Sequence, residues 1–303
     1  MKSIWKLMSI VAIFTGLAAC KKAPVSVQSI SLDKSEVELG VGNSTVLVAT
    51  VLPDNADDKT VVWSTADPSI VTVSNGTVTA VKVGETKITA TSAGFTAECA
   101  VSVFYDAPAV DLGLSVKWAS YNVGATKPED AGHYFAWGET SGKENYGWAK
   151  EGDYKWGVYD SSASPKFGMT KYTAYVEGGD GLKTLQPGDD PATANWGTKW
   201  RTPTLDEINE LLDNTKCEWT WDATKKGCTV KGLNTGNSIF LPAAGYRYGS
   251  DLDYAGRSGS YWSSSVHEFS PYRAYFFSFG SDYHGWGRDI RYFGDSVRAV
   301  TEY

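Results

Sequence analysis

Residues 62–90 read VWSTADPSIVTVSNGTVTAVKVGETKITA, and this stretch decides the fold of the N-terminal part of the chain. Val71 and Val73, then Ile88 and Ala90, alternate with polar neighbours, the period of a strand with one buried face. Asp67-Pro68, Asn75-Gly76 and Gly84 break the runs as turn signals. Outward from this centre the pattern repeats: Val46, Val48 and Thr50 on one side, Val101 and Val103 on the other. Turn residues at Gly40 to Asn43, Pro53 to Asn55 and Gly94 space the runs. Short strands at this spacing predict a small β-sandwich, with Trp63 as its central core residue.

Val62-Trp63-Ser64, Asp67-Pro68 to Val73, Gly76 to Ala80 and Gly84 to Ala90 stand together in register. As a set, over about eighty residues, they resemble the group-two bacterial immunoglobulin-like domain. That resemblance implies an all-β immunoglobulin-like sandwich over residues 27–104, used as a spacer or an adhesive module.

Ahead of this module, Lys2 and Lys6 supply a basic start, Leu7 to Ala18 form an apolar run, and Leu17-Ala18-Ala19-Cys20 closes it with small residues before a cysteine. This is the layout of a secretory signal. The run ends at Lys21-Lys22, short of the ~20 apolar residues that a spanning helix needs. The ending resembles a bacterial lipobox, which implies a signal peptide over residues 1–19, cleavage before Cys20, acylation of Cys20, and a lipidated tether over residues 20–26. Acyl chains add roughly 0.8 kcal/mol of membrane affinity per buried methylene, so the expected product is anchored to the membrane without spanning it. The alternative is an ordinary signal peptide in which Cys20 is incidental.

Composition limits the partners. The 303 residues carry 28 basic and 35 acidic side chains, net −7, and loss of Lys2 and Lys6 with the signal takes this to −9. A phosphate backbone is repelled by such a chain, so no nucleic-acid partner is expected.

Past residue 104 the composition changes: all 17 tyrosines and ten of the twelve tryptophans lie there. Thr204-Leu-Asp-Glu207 is a capping box, and Leu205, Ile208, Leu211 and Leu212 form one apolar helix face ending near Asn214. Strands are expected at 115–119, 132–137, 218–221, 228–231, 238–242, 259–264, 273–279 and 296–301, joined by long glycine-rich loops. Several strings stand out together: Val110 to Ala119, Asn122-Val-Gly124, Tyr134 to Glu139, Trp200 to Thr204, Leu241 to Arg247, Gly259 to Ser265, and Val297 to Val300. They resemble the Fibrobacter succinogenes major paralogous domain, itself similar to C-type-lectin-like and formylglycine-generating-enzyme-like folds. The resemblance covers residues 105–303 and implies an α+β lectin-like module with a curled antiparallel sheet and long loops, in a lipoprotein of the Bacteroidetes type.

Metal and nucleophile chemistry find few supports in the sequence. Cys20, Cys99, Cys217 and Cys228 form no Cys-x-x-Cys, the three histidines are scattered, and neither Gly-x-Ser-x-Gly nor a P-loop is present. No cysteine follows Cys228, so the formylglycine-generating activity does not carry over. No cofactor is expected. Calcium stays open at Asp189-Asp190 and Asp251-x-Asp253, which read first as turn residues. Cys217 and Cys228 flank a hairpin in an oxidising compartment, so a disulfide is their plainest role, with two packed free thiols as the alternative. Cys99 reads as a buried free cysteine.

What remains is a constellation of rings and forked donors near the C-terminus: Tyr254, Arg257, His267, Tyr272, Arg273, Tyr283, His284, Trp286 and Arg291. Aromatic faces stack on sugar rings while Arg and His donate to hydroxyls, so these are the candidate ligand-binding residues; packing of loops is the competing role. The expected function is therefore non-catalytic binding of a glycan or envelope surface component by an outer-membrane lipoprotein, the first module acting as spacer. A protein-docking assembly role and a glycan-active enzyme are the alternatives. Lys21-Lys22 after the lipidated cysteine leave the membrane face open.

Overall fold

The computed structural model describes residues 22–150, 152–160, 162 and 167–303. Strand takes up 41% of the chain and helix 6%, so the protein is mostly β.

The N-terminal module holds nine strands: β1 (Ser29–Leu32), β2 (Glu36–Gly40), β3 (Ser44–Val46), β4 (Ala49–Leu52), β5 (Val62–Thr65), β6 (Val71–Ser74), β7 (Thr77–Ala80), β8 (Gly84–Ser92) and β9 (Phe95–Phe104). One sheet runs β2-β9-β8-β5, with β2 parallel to β9. The other runs β3-β7-β6, and β1 pairs with β4. Alternation makes the sandwich: Cys99, Val101 and Val103 of β9 turn inward while Ala100 and Ser102 face out. The inward set meets Leu39, Leu47, Val71, Val78 and Ile88 in one core. Asn75 and Gly76 both take positive φ, as the two-residue turn between Ser74 and Thr77 requires. A side chain at Gly76 would also strike the Leu47 carbonyl at 2.5 Å. Trp63 is not the centre of this core, contrary to expectation. It is half-buried on β5, at the edge of its sheet, where its ring covers Gly76.

The second module is a set of small sheets. Strands β10 (Ala109–Val110), β11 (Lys117–Ala119) and β22 (Val300–Thr301) pair the two ends of its sequence. The strands β12 (Gly157–Tyr159) and β13 (Phe167–Met169) form a hairpin. Strands β14 (Cys217–Asp222), β15 (Gly227–Gly232) and β16 (Ser238–Pro242) make a meander, and β17 (Tyr246–Tyr248) with β18 (Asp251–Asp253) a short ribbon. The main sheet is β19 (Gly259–Val266), β20 (Arg273–Phe279) and β21 (His284–Ile290), all antiparallel. The pieces of the ladder are joined by single bridges such as Gly245 to Gly259 and Tyr261 to Ser296.

Two short helices complete the module. Helix α1 (Pro191–Trp196) starts on buried Asp190, whose carboxylate accepts from the amides of Ala192 and Thr193. Helix α2 (Leu205–Leu212) has the expected capping box, Thr204 with Glu207. The expected strand over 132–137 is reduced to one bridge, Phe135 to Asp295, and that over 296–301 to the Ser296 bridge and β22.

Each face of the main sheet closes a different core. Tyr261, Phe277 and Phe279 pack with Ile208 and Leu211 of α2 and with Val230 and Leu241. Trp262 and Ala274, of opposite parity, pack with Phe135, Trp137, Trp196 and Trp200. The modules touch where Lys199 pairs with Glu38 at 2.9 Å and lies over the Phe104 ring, 3.9 Å from its centre. Among the described residues no helix is long and apolar enough to cross a membrane.

Candidate functional site

Strand parity on the main sheet creates a cleft of about 400 Å³, within the ~300–1,000 Å³ range of small-molecule sites. Ser260 of β19 lies opposite Ser278 of β20, Phe276 opposite Gly287 of β21, and Ala274 opposite Asp289. Residues directly paired across antiparallel strands share a face. The cleft floor is therefore Ser260, Ser278, Phe276 and Asp289. Gly287 lets the Phe276 ring lie across it, since a Cβ there would stand 2.7 Å from that ring, while Gly285 faces open space.

The wall is built from the β17–β18 ribbon. The Tyr246 ring stacks on Phe293 at 5.7 Å with 1° between planes, and Tyr254 stacks on Tyr246 at 5.8 Å. Tyr254 is 59% exposed and sits at φ 57°, the left-handed region that costs a bulky residue ~1–3 kcal/mol. Its carbonyl accepts from the amides of Arg257 and Ser258, which fixes the turn. On the rim the Tyr283 hydroxyl and the Ser258 hydroxyl are 3.0 Å apart.

One acid, Asp289, lines this floor, and a second, Asp295, is buried nearby. Asp289 accepts the Ile290 amide at 2.6 Å, yet burial pushes its pKa up to about 6, against the partial relief of Arg273 nearby. Asp295 is fully buried, and neither carboxylate oxygen has a hydrogen-bond partner. Burial first, and then the Asp289 charge, raise its pKa well above the usual carboxylate range; Ser260 offsets a part. The Ser260 hydroxyl is close enough for that effect but forms no hydrogen bond in this geometry, so it too is buried without a partner.

The structure divides the sequence-derived candidates. Tyr254 and Tyr283 reach the cleft. Arg257 is exposed in the turn after Tyr254, and Arg273 stands on β20 near Asp289. Trp286 and His284 have the opposite parity on β21. Trp286 is 54% exposed with its edge on Tyr275, and His284 stacks on Trp219 at 4.8 Å.

Three candidates are corrected to structural roles. Arg291 has no exposed surface: its guanidinium donates to the Tyr154 hydroxyl and to the carbonyls of Lys171 and Pro271, 4.6 Å above the Trp137 ring. His267 is buried, its Nδ1 accepting from the Phe269 amide. Tyr272 packs in a cluster with Trp148 and Tyr154.

The expected disulfide is also corrected. Cys217 pairs with Gly232 while Cys228 pairs with Trp221. The offset of four residues places the cysteines about 13 Å apart along the ribbon, well beyond the ~7 Å Cα limit for a bridge. Both are buried free thiols, as is Cys99. The anchor Cys20 lies outside the described residues.

Asp190 is consumed by four donors of α1 and Thr202, and Asp189 by Lys155, Lys171 and the Tyr172 hydroxyl, so the oxygens of this acidic pair are already occupied by protein groups. Among the described residues no group of three or more His, Cys, Asp or Glu side chains is placed to hold a metal ion. A larger depression, about 640 Å³, lies on the outer face of the first module between Glu36, Glu38, Glu85 and Lys87, over Ala100 and Ser102. It is a trough between long charged side chains, without a ring.

The family described as bacterial Ig-like domain (group 2) matches residues 26–101. No curated protein matches the chain. Among solved structures, domains 4 and 5 of the S-layer protein SbsC share 25% identity, covering 26% of this chain and 53% of that one, at a TM-score of 0.23. Domains 5–6 of the same protein share 12% identity over 91% of this chain and 97% of that one, at a TM-score of 0.25. The chain thus spans about half the length of the first of these structures. The N-terminal part of this chain, residues 26–101, is Ig-like.

Proposed function

We propose that this chain is a non-catalytic binding lipoprotein of the cell envelope, held through Cys20, with the Ig-like module as spacer and a lectin-like second module that takes a saccharide in the cleft between Tyr254 and Asp289. The observation that carries this reading is the ring stack Tyr254–Tyr246–Phe293, beside the hydroxyls of Ser258, Ser260 and Ser278. A flat apolar ring next to a row of small hydroxyls suits a sugar, which has one apolar face and a hydroxylated edge. Strain at Tyr254, an exposed residue that could relax, supports a role for its placement. Glycan-array binding of the full chain and of Tyr254→Ala tests the proposal: selective binding lost in the variant supports it, and no glycan bound by either contradicts it.

One observation favours an enzyme as the second reading. An acid raised to about 6 in an aromatic cleft resembles a general acid. Glycoside hydrolysis as usually performed needs two carboxylates flanking the bond, and Asp289 alone lines the cleft while Asp295 is fully buried. Binding is therefore the better-supported reading; turnover of a glycan library that stops in Asp289→Asn would reverse the order.

A further inference from the structure

We propose that β21 is an interface: the free edge of the main sheet pairs antiparallel with β21 of a second copy of this chain, across a two-fold axis at Gly287. The proposal stands apart from the saccharide reading, since each cleft is complete within one copy.

The two edges of the main sheet differ. The β19 edge is closed by single bridges from Thr184, Gly245 and Ser296 to Ser265, Gly259 and Tyr261. At β21, Arg291 donates its amide to the Tyr272 carbonyl, and Gly280 donates to that of Tyr283. This phase directs the backbone of Gly285, Gly287 and Asp289 to β20, and that of His284, Trp286 and Arg288 outward. Among the described residues nothing pairs with those outward amides and carbonyls. Such an edge is a template for another strand, and proteins guard it with proline, lysine, a bulge or a short length. Here β21 runs seven residues in unbroken register with β20 and contains neither proline nor lysine.

The side chains flanking this edge suit a copy of themselves. Trp286 is 54% exposed, and Arg288, also exposed, makes no ion pair among the described residues. Centred on Gly287, a self-pair sets Trp286 opposite the partner's Arg288 and Arg288 opposite the partner's Trp286, and the outward amides and carbonyls of these residues meet. Residues directly opposite share a face, so each guanidinium lies beside an indole, a favourable cation–ring contact. On the cleft face Gly287 meets the partner's Gly287, and Gly285, with open space around it, meets the partner's Asp289.

Other registers and edges fit worse. Centring on Arg288 opposes two guanidinium groups. Centring on Trp286 sets Arg288 against the partner's His284, whose ring in each copy is already held by Trp219 and Asn214. Strand β14, six residues long and also at a sheet edge, would in its central register set Glu218 against the partner's Asp222. The β21 contact is isologous: one patch serves both copies and closes on a dimer.

The test is sedimentation equilibrium of the full chain carrying Cys20→Ala, which removes the proposed lipid site, over a rising series of protein concentrations. The expected result is a reversible monomer–dimer equilibrium whose dissociation constant rises about tenfold or more in Arg288→Glu and in Arg288→Pro. Glutamate replaces a side chain without an ion pair, and proline removes an outward amide, which an edge strand tolerates, so the monomer keeps its own bonds; melting curves check this. Gly285→Cys combined with Asp289→Cys reads the register. Mild oxidation should link two copies, whereas within one strand the two cysteines stand about 13 Å apart, too far to join. A monomer at every concentration overturns the proposal, as does a dimer that neither Arg288 variant weakens, or a double-cysteine protein that stays unlinked. Each of these outcomes leaves the saccharide reading standing, because the affinity of one cleft for one ligand does not depend on the pairing.

Discussion

The ring of Tyr246 lies parallel to that of Phe293, centroids 5.7 Å apart, and this contact ties the β17–β18 ribbon to the chain that follows β21. Tyr254 then stacks on the outer side of Tyr246, so a three-ring wall stands over the floor of the main sheet. Recognition and stability separate along this wall. Tyr254 adds an exposed face at the cost of backbone strain, whereas Phe293 is half-buried and packs with the second core.

Tyr254→Gly should therefore hold or raise stability while reducing saccharide affinity. Glycine takes φ 57° without steric cost, a gain of about 1 kcal/mol set against the lost stacking. Chemical denaturation and titration of the same preparation check this. A variant less stable than the parent by 2 kcal/mol or more would show that Tyr254 is a packing residue.

Asp289→Asn should stabilise the fold at pH 7.5, by on the order of 1–3 kcal/mol, and give no gain at pH 4. The folded-state pKa of about 6 exceeds the ordinary carboxylate value of 3.8. The unfolded chain therefore loses this proton first as pH rises, and the stabilisation present below pH 4 is lost as pH climbs through 6. Asparagine stays neutral throughout and escapes that loss. Melting temperatures of both proteins across pH 4–8 check the sign; a variant destabilised at pH 7.5 would contradict it.

Arg291→Ala should cost about 3 kcal/mol or more, because it empties a buried site and strands the Lys171 and Pro271 carbonyls. Arg291→Lys should recover only a part, since an ammonium cannot match the forked guanidinium over Trp137. Trp286→Ala, on an exposed position of β21, should stay within about 1 kcal/mol. Urea midpoints of the three variants check the order.

Cys217 and Cys228 should resist alkylation in the native protein and react together once it unfolds. Burial pushes both thiols up to about 11, so little thiolate is present at neutral pH. Mass spectrometry after labelling with and without denaturant reads this directly. A mass two hydrogens lighter, with the peptides linked, would contradict the strand register.

Regular elements were legible where periodicity was strong. The strands Ser238–Pro242 and Arg273–Phe279 have the expected bounds, and α2 begins at its capping box. Trp63 misled because size suggests a central place, whereas its edge strand leaves it half-buried. The site was legible only in part, and parity is the reason. Rings and charges point to His284 and Trp286, which face away from the cleft, while Asp289, of the other parity on the same strand, lies on its floor. Two glycines in seven residues also conceal β21, since they lower strand propensity. The signal that was available is the string Gly-x-Gly-x-Asp at 285–289, one bare strand face ending in an acid. Burial of Arg291 and Asp295 follows from tertiary packing of distant segments, which no local pattern encodes.

The most direct test of the account is the affinity of one saccharide ligand for the full chain, Tyr254→Ala and Trp286→Ala under identical conditions. The cleft between Tyr254 and Asp289 predicts a loss of about tenfold or more for Tyr254→Ala and a change within about twofold for Trp286→Ala. Unchanged affinity in Tyr254→Ala with a large loss in Trp286→Ala would place binding on the opposite face of the sheet and contradict the account.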